Sequence, residues 1–65
     1  MKNIIPNLRK DHHLTQEDLA QLCGVTRQTI ISLENGRYNP SIMLAHKIAS
    51  IFNTNIETVF VFEED

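Results

Sequence analysis

At 65 residues the chain is one domain, close to the lower size at which a single hydrophobic core suffices. A lone cysteine, Cys23, excludes an internal disulfide and a cysteine-built zinc site, so a partner subunit is the expected supplement to the core. Hydrophobic residues at 42% and charged residues at 22% exclude a disordered chain, and no apolar run approaches the roughly 18 residues of a membrane span. The segment from Met1 to Pro6 has no signal-peptide core, which predicts a cytoplasmic protein.

The net charge of −2 is unevenly placed. Glu63, Glu64 and Asp65 close the sequence, and without them six Lys and Arg face five Asp and Glu. The acidic character is mostly a tail, most simply a solubilising one. The body is no bulk polycation, so any binding of nucleic acid must rest on a few placed contacts.

In chain order, Pro6 biases Ile5 away from helix. Residues 2–5 are therefore expected to be extended, and a first helix should run from about Pro6 to His12 with Leu8 facing inward. Thr15-Gln16-Glu17-Asp18 resembles a capping box and opens a second helix. Leu19, Leu22 and Cys23 are its expected inward residues, and Gly24 ends it as a left-handed cap. Thr26 caps a third helix with Ile30 and Leu33 inward, stopping at Asn35-Gly36. Asn39-Pro40-Ser41 starts a fourth, whose Ile42, Leu44, Ala45, Ile48, Ala49, Ile51 and Phe52 predict burial around most of its circumference. Asn55 caps a last short turn. Val59-Phe60-Val61-Phe62 is β-branched and aromatic, which predicts a strand over 59–63.

Between Gln16 and Leu33 the spacing is specific. Ala20 is small enough for close helix approach, Gly24 accepts positive φ at the turn, and Val25, Ile30 and Leu33 face back. Two helices crossing steeply through a short turn need this combination, which is a helix-turn-helix pattern.

Three stretches carry a family resemblance: Leu14-Thr15-Gln16-Glu17-Asp18-Leu19-Ala20, Gly24-Val25-Thr26-Arg27-Gln28-Thr29-Ile30 and Glu34-Asn35-Gly36-Arg37-Tyr38-Asn39-Pro40-Ser41. Together they resemble the xenobiotic-response-element/Cro–cI family of helix-turn-helix regulators, over roughly residues 6–60. The tail is similar to that of short stand-alone members such as the repressor of a bacterial cytolysin operon. The resemblance implies an all-α domain of five helices, with operator DNA as ligand and a homodimer as the working form. The expected architecture is one domain over 1–65, with a helical core over 6–59. The terminal segments 2–5 and 59–63 would form a small two-stranded antiparallel sheet.

Read from its own residues, the third helix offers Arg27, Gln28, Ile31 and Ser32 on its outer or forward side. Arg and Gln near a helix start suit bidentate bonds to guanine and adenine edges in the major groove. The resemblance implies base contacts at Arg27, Gln28 and Ser32. Ile31 could meet a thymine methyl or lie partly against the domain. Helix starts at Gln16 and Thr26 attract phosphates, and the family uses both matching positions. Asn35, Arg37 and Asn39 match a further phosphate clamp, although turn chemistry alone would also select asparagine there. The resemblance also implies an ion pair between Arg9 and Glu34, orienting the recognition helix.

His12, His13, His46 and Cys23 match no common zinc spacing, so no metal or other cofactor is expected. Cys23 reads as a small buried residue. The chain holds no nucleophile-and-base pair, phosphate loop or paired-carboxylate cleft, which argues against an enzyme, and no small-molecule effector is evident. As a strand, the tail has two apolar faces, and one can cover the protomer's own core. The other predicts a dimer surface formed by Ile4, Val59, Phe60, Val61 and Phe62. The expected function is a sequence-specific, homodimeric repressor reading a palindromic operator in double-stranded DNA. The alternative is an antitoxin-like DNA-binding module whose main task is to neutralise a protein partner.

Overall fold

The computed structural model describes residues 1–62. Glu63, Glu64 and Asp65, which hold the acidic tail and the expected end of the last strand, lie outside them. The elements are β1 (Lys2–Asn3), α1 (Ile5–Asp11), α2 (Gln16–Cys23), α3 (Arg27–Glu34), α4 (Ile42–Ile51), α5 (Ile56–Val59) and β2 (Phe60–Val61). The five helices enclose one core, and the two short strands pair antiparallel with Lys2 opposite Val61 and Asn3 opposite Phe60.

Local chemistry accounts for the helix starts. Thr15, Thr26, Ser41 and Asn55 each accept a hydrogen bond from the backbone N–H three residues on. At Thr15 the box closes, because the Asp18 carboxylate accepts the Thr15 backbone N–H at 3.0 Å. That bond first, and the Thr15 hydroxyl second, hold the Asp18 carboxyl below its ordinary value.

The helix ends share one device. After α1 to α4 the chain passes through left-handed residues at His13, Gly24, Gly36 and Asn53. In each case the next N–H reaches back five residues, as in Leu14 to the Arg9 carbonyl and Val25 to the Ala20 carbonyl. A Cβ on Gly24 would meet nothing within 4 Å, so glycine is needed there for conformation, not for space. Gly24→Ala is therefore expected to cost about 1–2 kcal/mol, the left-handed penalty of an L-residue. In a domain this small, thermal melting should fall by roughly 4–8 °C per kcal/mol. An unchanged melting temperature would mean that the turn relaxes freely.

Ile5, Leu19, Ala20, Cys23, Ile30, Leu33, Ala45, Ile48, Ala49, Phe52, Val59 and Phe60 form the core. Several expectations are corrected here. Ile5 begins α1 and is fully buried, whereas Leu8 is only half-buried. The preproline bias at Ile5 is overcome because its N–H finds the Asn3 Oδ1 at 3.1 Å and its side chain gains complete burial. The strand expected over 2–5 therefore shrinks to two residues, with Ile4 already bent at ψ 22°. Leu22 faces outward on α2, and its inward place is taken by Ala20. On α4, Ile42 is 78% and Met43 75% exposed and His46, Lys47 and Ser50 face solvent, so the helix buries one face through Ala45, Ile48 and Ala49 and not most of its circumference. Val59 ends α5 rather than starting a strand, and β2 spans only Phe60 and Val61.

Candidate nucleic-acid interface

Helices α2 and α3 are joined through Gly24, Val25 and Thr26, with Ala20 and Ile30 buried between them. Ile30 and Leu33 turn α3 toward the core, which leaves Arg27 and Gln28 exposed in its first turn. The Thr26 hydroxyl caps this turn through the Thr29 N–H at 3.2 Å and contacts the Thr29 hydroxyl at 3.1 Å. The helix start is thereby fixed, and an exposed guanidinium and an exposed amide project beside it. Ser32 and Ile31 are half-buried, so Ile31 lies partly against the domain, one of the two readings its position allowed.

Two shallow depressions flank α3. One is lined by Arg9, Leu14, Thr15, Gln16, Glu17 and Arg27, which puts Gln16 beside Arg27. The other brings Thr26, Gln28, Thr29 and Ser32 together with Arg37 and Tyr38. Asn35 and Asn39 fall elsewhere. Asn35 borders the N-terminal strand with Met1, Lys2 and Asn3, and Asn39 borders the sheet with Val61 and Phe62. The loop that looked like one clamp therefore splits: of Asn35, Arg37 and Asn39, Arg37 alone shares the Gln28 side, with Tyr38 next to it. Thr29 and Tyr38 were not singled out from sequence. A half-exposed tyrosine beside an arginine on a loop is a signal that could have found Tyr38.

Behind this surface lies a partly buried polar hub. The Arg9 Nε donates to Glu34 Oε2 at 2.6 Å and its Nη2 to Oε1 at 3.0 Å, a bidentate pair. The two side chains are 15% and 7% exposed. Arg9 Nη1 also holds the Leu14 carbonyl at 3.2 Å, and the Gln16 amide donates to Glu34 Oε1 at 3.1 Å. One carboxylate at the end of α3 thus ties α1 and α2 to it. Gln16, expected at a phosphate, donates one amide hydrogen to this hub and keeps a second.

Among the described residues no group of three His, Cys, Asp or Glu side chains is placed to hold a metal. His12 instead packs its ring on Phe52, with centroids 5.1 Å apart. Cys23 is buried, and that burial pushes its thiol up, against a smaller opposing effect of Lys47. No described helix is long and apolar enough to cross a membrane.

The fold and this surface together define a helix-turn-helix module. The family model for helix-turn-helix domains of the XRE/Cro–cI type matches residues 7–59, and the chain belongs to that family of transcriptional regulators. It is 54% identical over its full length to an uncharacterized HTH-type transcriptional regulator of Methanocaldococcus jannaschii, covering 98% of that protein. It is 45% identical over its full length to another from Bacillus subtilis, again covering 98%. Among solved structures, the restriction-modification controller protein C.AhdI from Aeromonas hydrophila superposes with a TM-score of 0.77. That match has 30% identity and covers 86% of this chain and 85% of the other.

Proposed function

We propose that the protein is a homodimeric repressor that reads a palindromic DNA operator with α3 in the major groove. The observation that carries this is the exposure of Arg27 and Gln28 at the capped start of a helix whose opposite face is locked into the core. Both side chains can form two parallel hydrogen bonds to a base edge, Arg to guanine and Gln to adenine. Ser32 and Ile31 extend the same reading surface. Thr26, Arg37 and the second amide hydrogen of Gln16 are the phosphate-facing groups in this reading. Asn35 and Asn39 lie beside the terminal strands and would act only if the backbone passes that side.

One chain presents one recognition helix, so a palindrome needs two copies. The dimer surface differs from the one expected. Val59 and Phe60 are buried in the protomer's own core and offer nothing to a partner, and Ile4 is half-buried. What remains is Val61 and Phe62, of which Phe62 is 58% exposed. Phe62 lines an apolar groove of about 170 Å³ with Met1, Pro40 and Ile42. Contiguous exposed apolar side chains of this kind favour a partner surface over solvent. Repression would follow where the operator overlaps a promoter, because a seated dimer there excludes polymerase.

Two measurements test this reading. A duplex from the DNA upstream of the protein's own coding sequence should be retarded in a gel, and wild type should sediment as a dimer. Phe62→Asp is expected to sediment as a monomer and to lose most affinity for a two-half-site duplex. A Phe62→Asp protein that remains dimeric would refute this surface.

A further inference from the structure

We propose that Asn3 is a positioning residue that sets the angle between the recognition helix and the terminal sheet. Through that angle it would fix the half-site spacing the protein tolerates. This rests on the dimer reading above.

Asn3 stands in β1, its backbone in register with Phe60 of β2. Its side chain uses both ends. The Nδ2 donates to the Leu33 carbonyl in the last turn of α3 at 2.8 Å, and the Oδ1 accepts the Ile5 N–H at 3.1 Å. One amide thus joins the sheet, the start of α1 and the end of the recognition helix.

The turn after α3 is shaped to receive this strand. Gly36 is left-handed at φ +75°, and a Cβ there would come within 3.3 Å of the Met1 carbonyl oxygen. The Met1 amino group donates to the Gly36 carbonyl at 3.2 Å. The glycine therefore serves as a seat for the N-terminal strand as well as a helix stop. At the same end α3 is held by Arg9 and Gln16 through Glu34, which ties it to its own protomer's helices. Asn3 ties it to the strand pair that continues into Val61 and Phe62. Beside the Met1 contact at Gly36 and the shared core, that amide is a direct side-chain link from the terminal sheet to α3 itself.

Spacing should be sensitive to this link. Adding one base pair between half-sites shifts one by about 3.4 Å and rotates it by about 35°, given 10–10.5 base pairs per turn. A stiff connection cannot follow that change, whereas a loosened one can.

The test uses the full chain and duplexes with two half-sites at the preferred spacing, one base pair longer and one shorter. Wild type should lose about tenfold or more on either altered duplex, on the scale of one mismatched base pair. Asn3→Ser keeps a short acceptor for the Ile5 N–H but cannot reach Leu33. It should remain dimeric, bind a single half-site as wild type does, and lose only about threefold or less on altered spacing. Asn3→Asp, which keeps Oδ1 and sets a carboxylate oxygen against the Leu33 carbonyl, should relax spacing likewise if the serine variant folds poorly. A dimeric Asn3→Ser with the full wild-type penalty overturns the spacing role alone. Equal loss on all three duplexes also overturns it, because that is the mark of a merely structural bond. A monomeric wild type removes the dimer reading and this inference together.

Discussion

Glu34→Ala is expected to be the most destabilising single substitution outside the apolar core. Its carboxylate accepts three bonds, two from Arg9 and one from Gln16, at 7% exposure. Removing it strands a guanidinium that is itself only 15% exposed. Breaking one side of a buried pair costs about 3–5 kcal/mol, and the residual exposure of Arg9 argues for about 3 kcal/mol here. A chain of this length has a total stability of roughly 3–10 kcal/mol, so a large share would be lost. DNA affinity should fall as well, because the hub fixes the end of α3 against α1 and α2. The double replacement Arg9→Met with Glu34→Leu removes both charges and should recover much of the stability, since buried pairs contribute little net. Urea unfolding of the three proteins measures this directly. A wild-type midpoint for Glu34→Ala would show that the hub is incidental.

The second large effect is on recognition without stability. Arg27 and Gln28 are exposed and lie outside the core, so alanine at either should leave melting nearly unchanged. Each is expected to cost about 1–3 kcal/mol of binding and to relax preference at one base position in each half-site. Arg37→Ala should differ in kind. It should weaken binding to all sequences alike and reduce the salt slope by about one. The chain carries only six Lys and Arg, so the overall slope should be shallow, well short of the release of about ten counterions by strongly basic binders. Fluorescence anisotropy over a salt series separates these cases. Equal losses for Gln28→Ala on cognate and scrambled duplexes would remove it from base reading.

The legible parts of this molecule are those settled by near neighbours in sequence. Thr15, Thr26, Ser41 and Asn55 cap helices through bonds three residues long, and Gly24 announces the turn by its tolerance of positive φ. The pairing of a small Ala20 with inward Ile30 and Leu33 also follows from spacing. What the pattern left open depends on distant partners. Ile5 and Leu8 are equally apolar, but only the fold puts Ile5 against the core. Val59 is β-branched, yet the Asn55 cap draws it into helix. Ile42 and Met43 look like core residues on a helical wheel, but α4 begins outside the packed region. Leu22 reads as inward by periodicity, but the close approach of α3 selects Ala20 instead. The Asn3 bond to Leu33 spans 30 residues, and no local signal announces it. In the candidate surface, the exposure of Arg27 and Gln28 was readable from one face of one helix. The loop after it was not, because Asn35 and Asn39 border the terminal strands while Arg37 lies beside Gln28.

Selection of bound duplexes from random DNA by the wild-type protein tests the central claim most directly. The expected product is an inverted repeat whose half-site centres lie about one helical turn, 10–10.5 base pairs, apart. Repeating the selection with Gln28→Ala should erase preference at one symmetric pair of positions and leave the rest. Recovery of sequences with no shared motif, or of a motif without twofold symmetry, would contradict a dimer that reads DNA through α3.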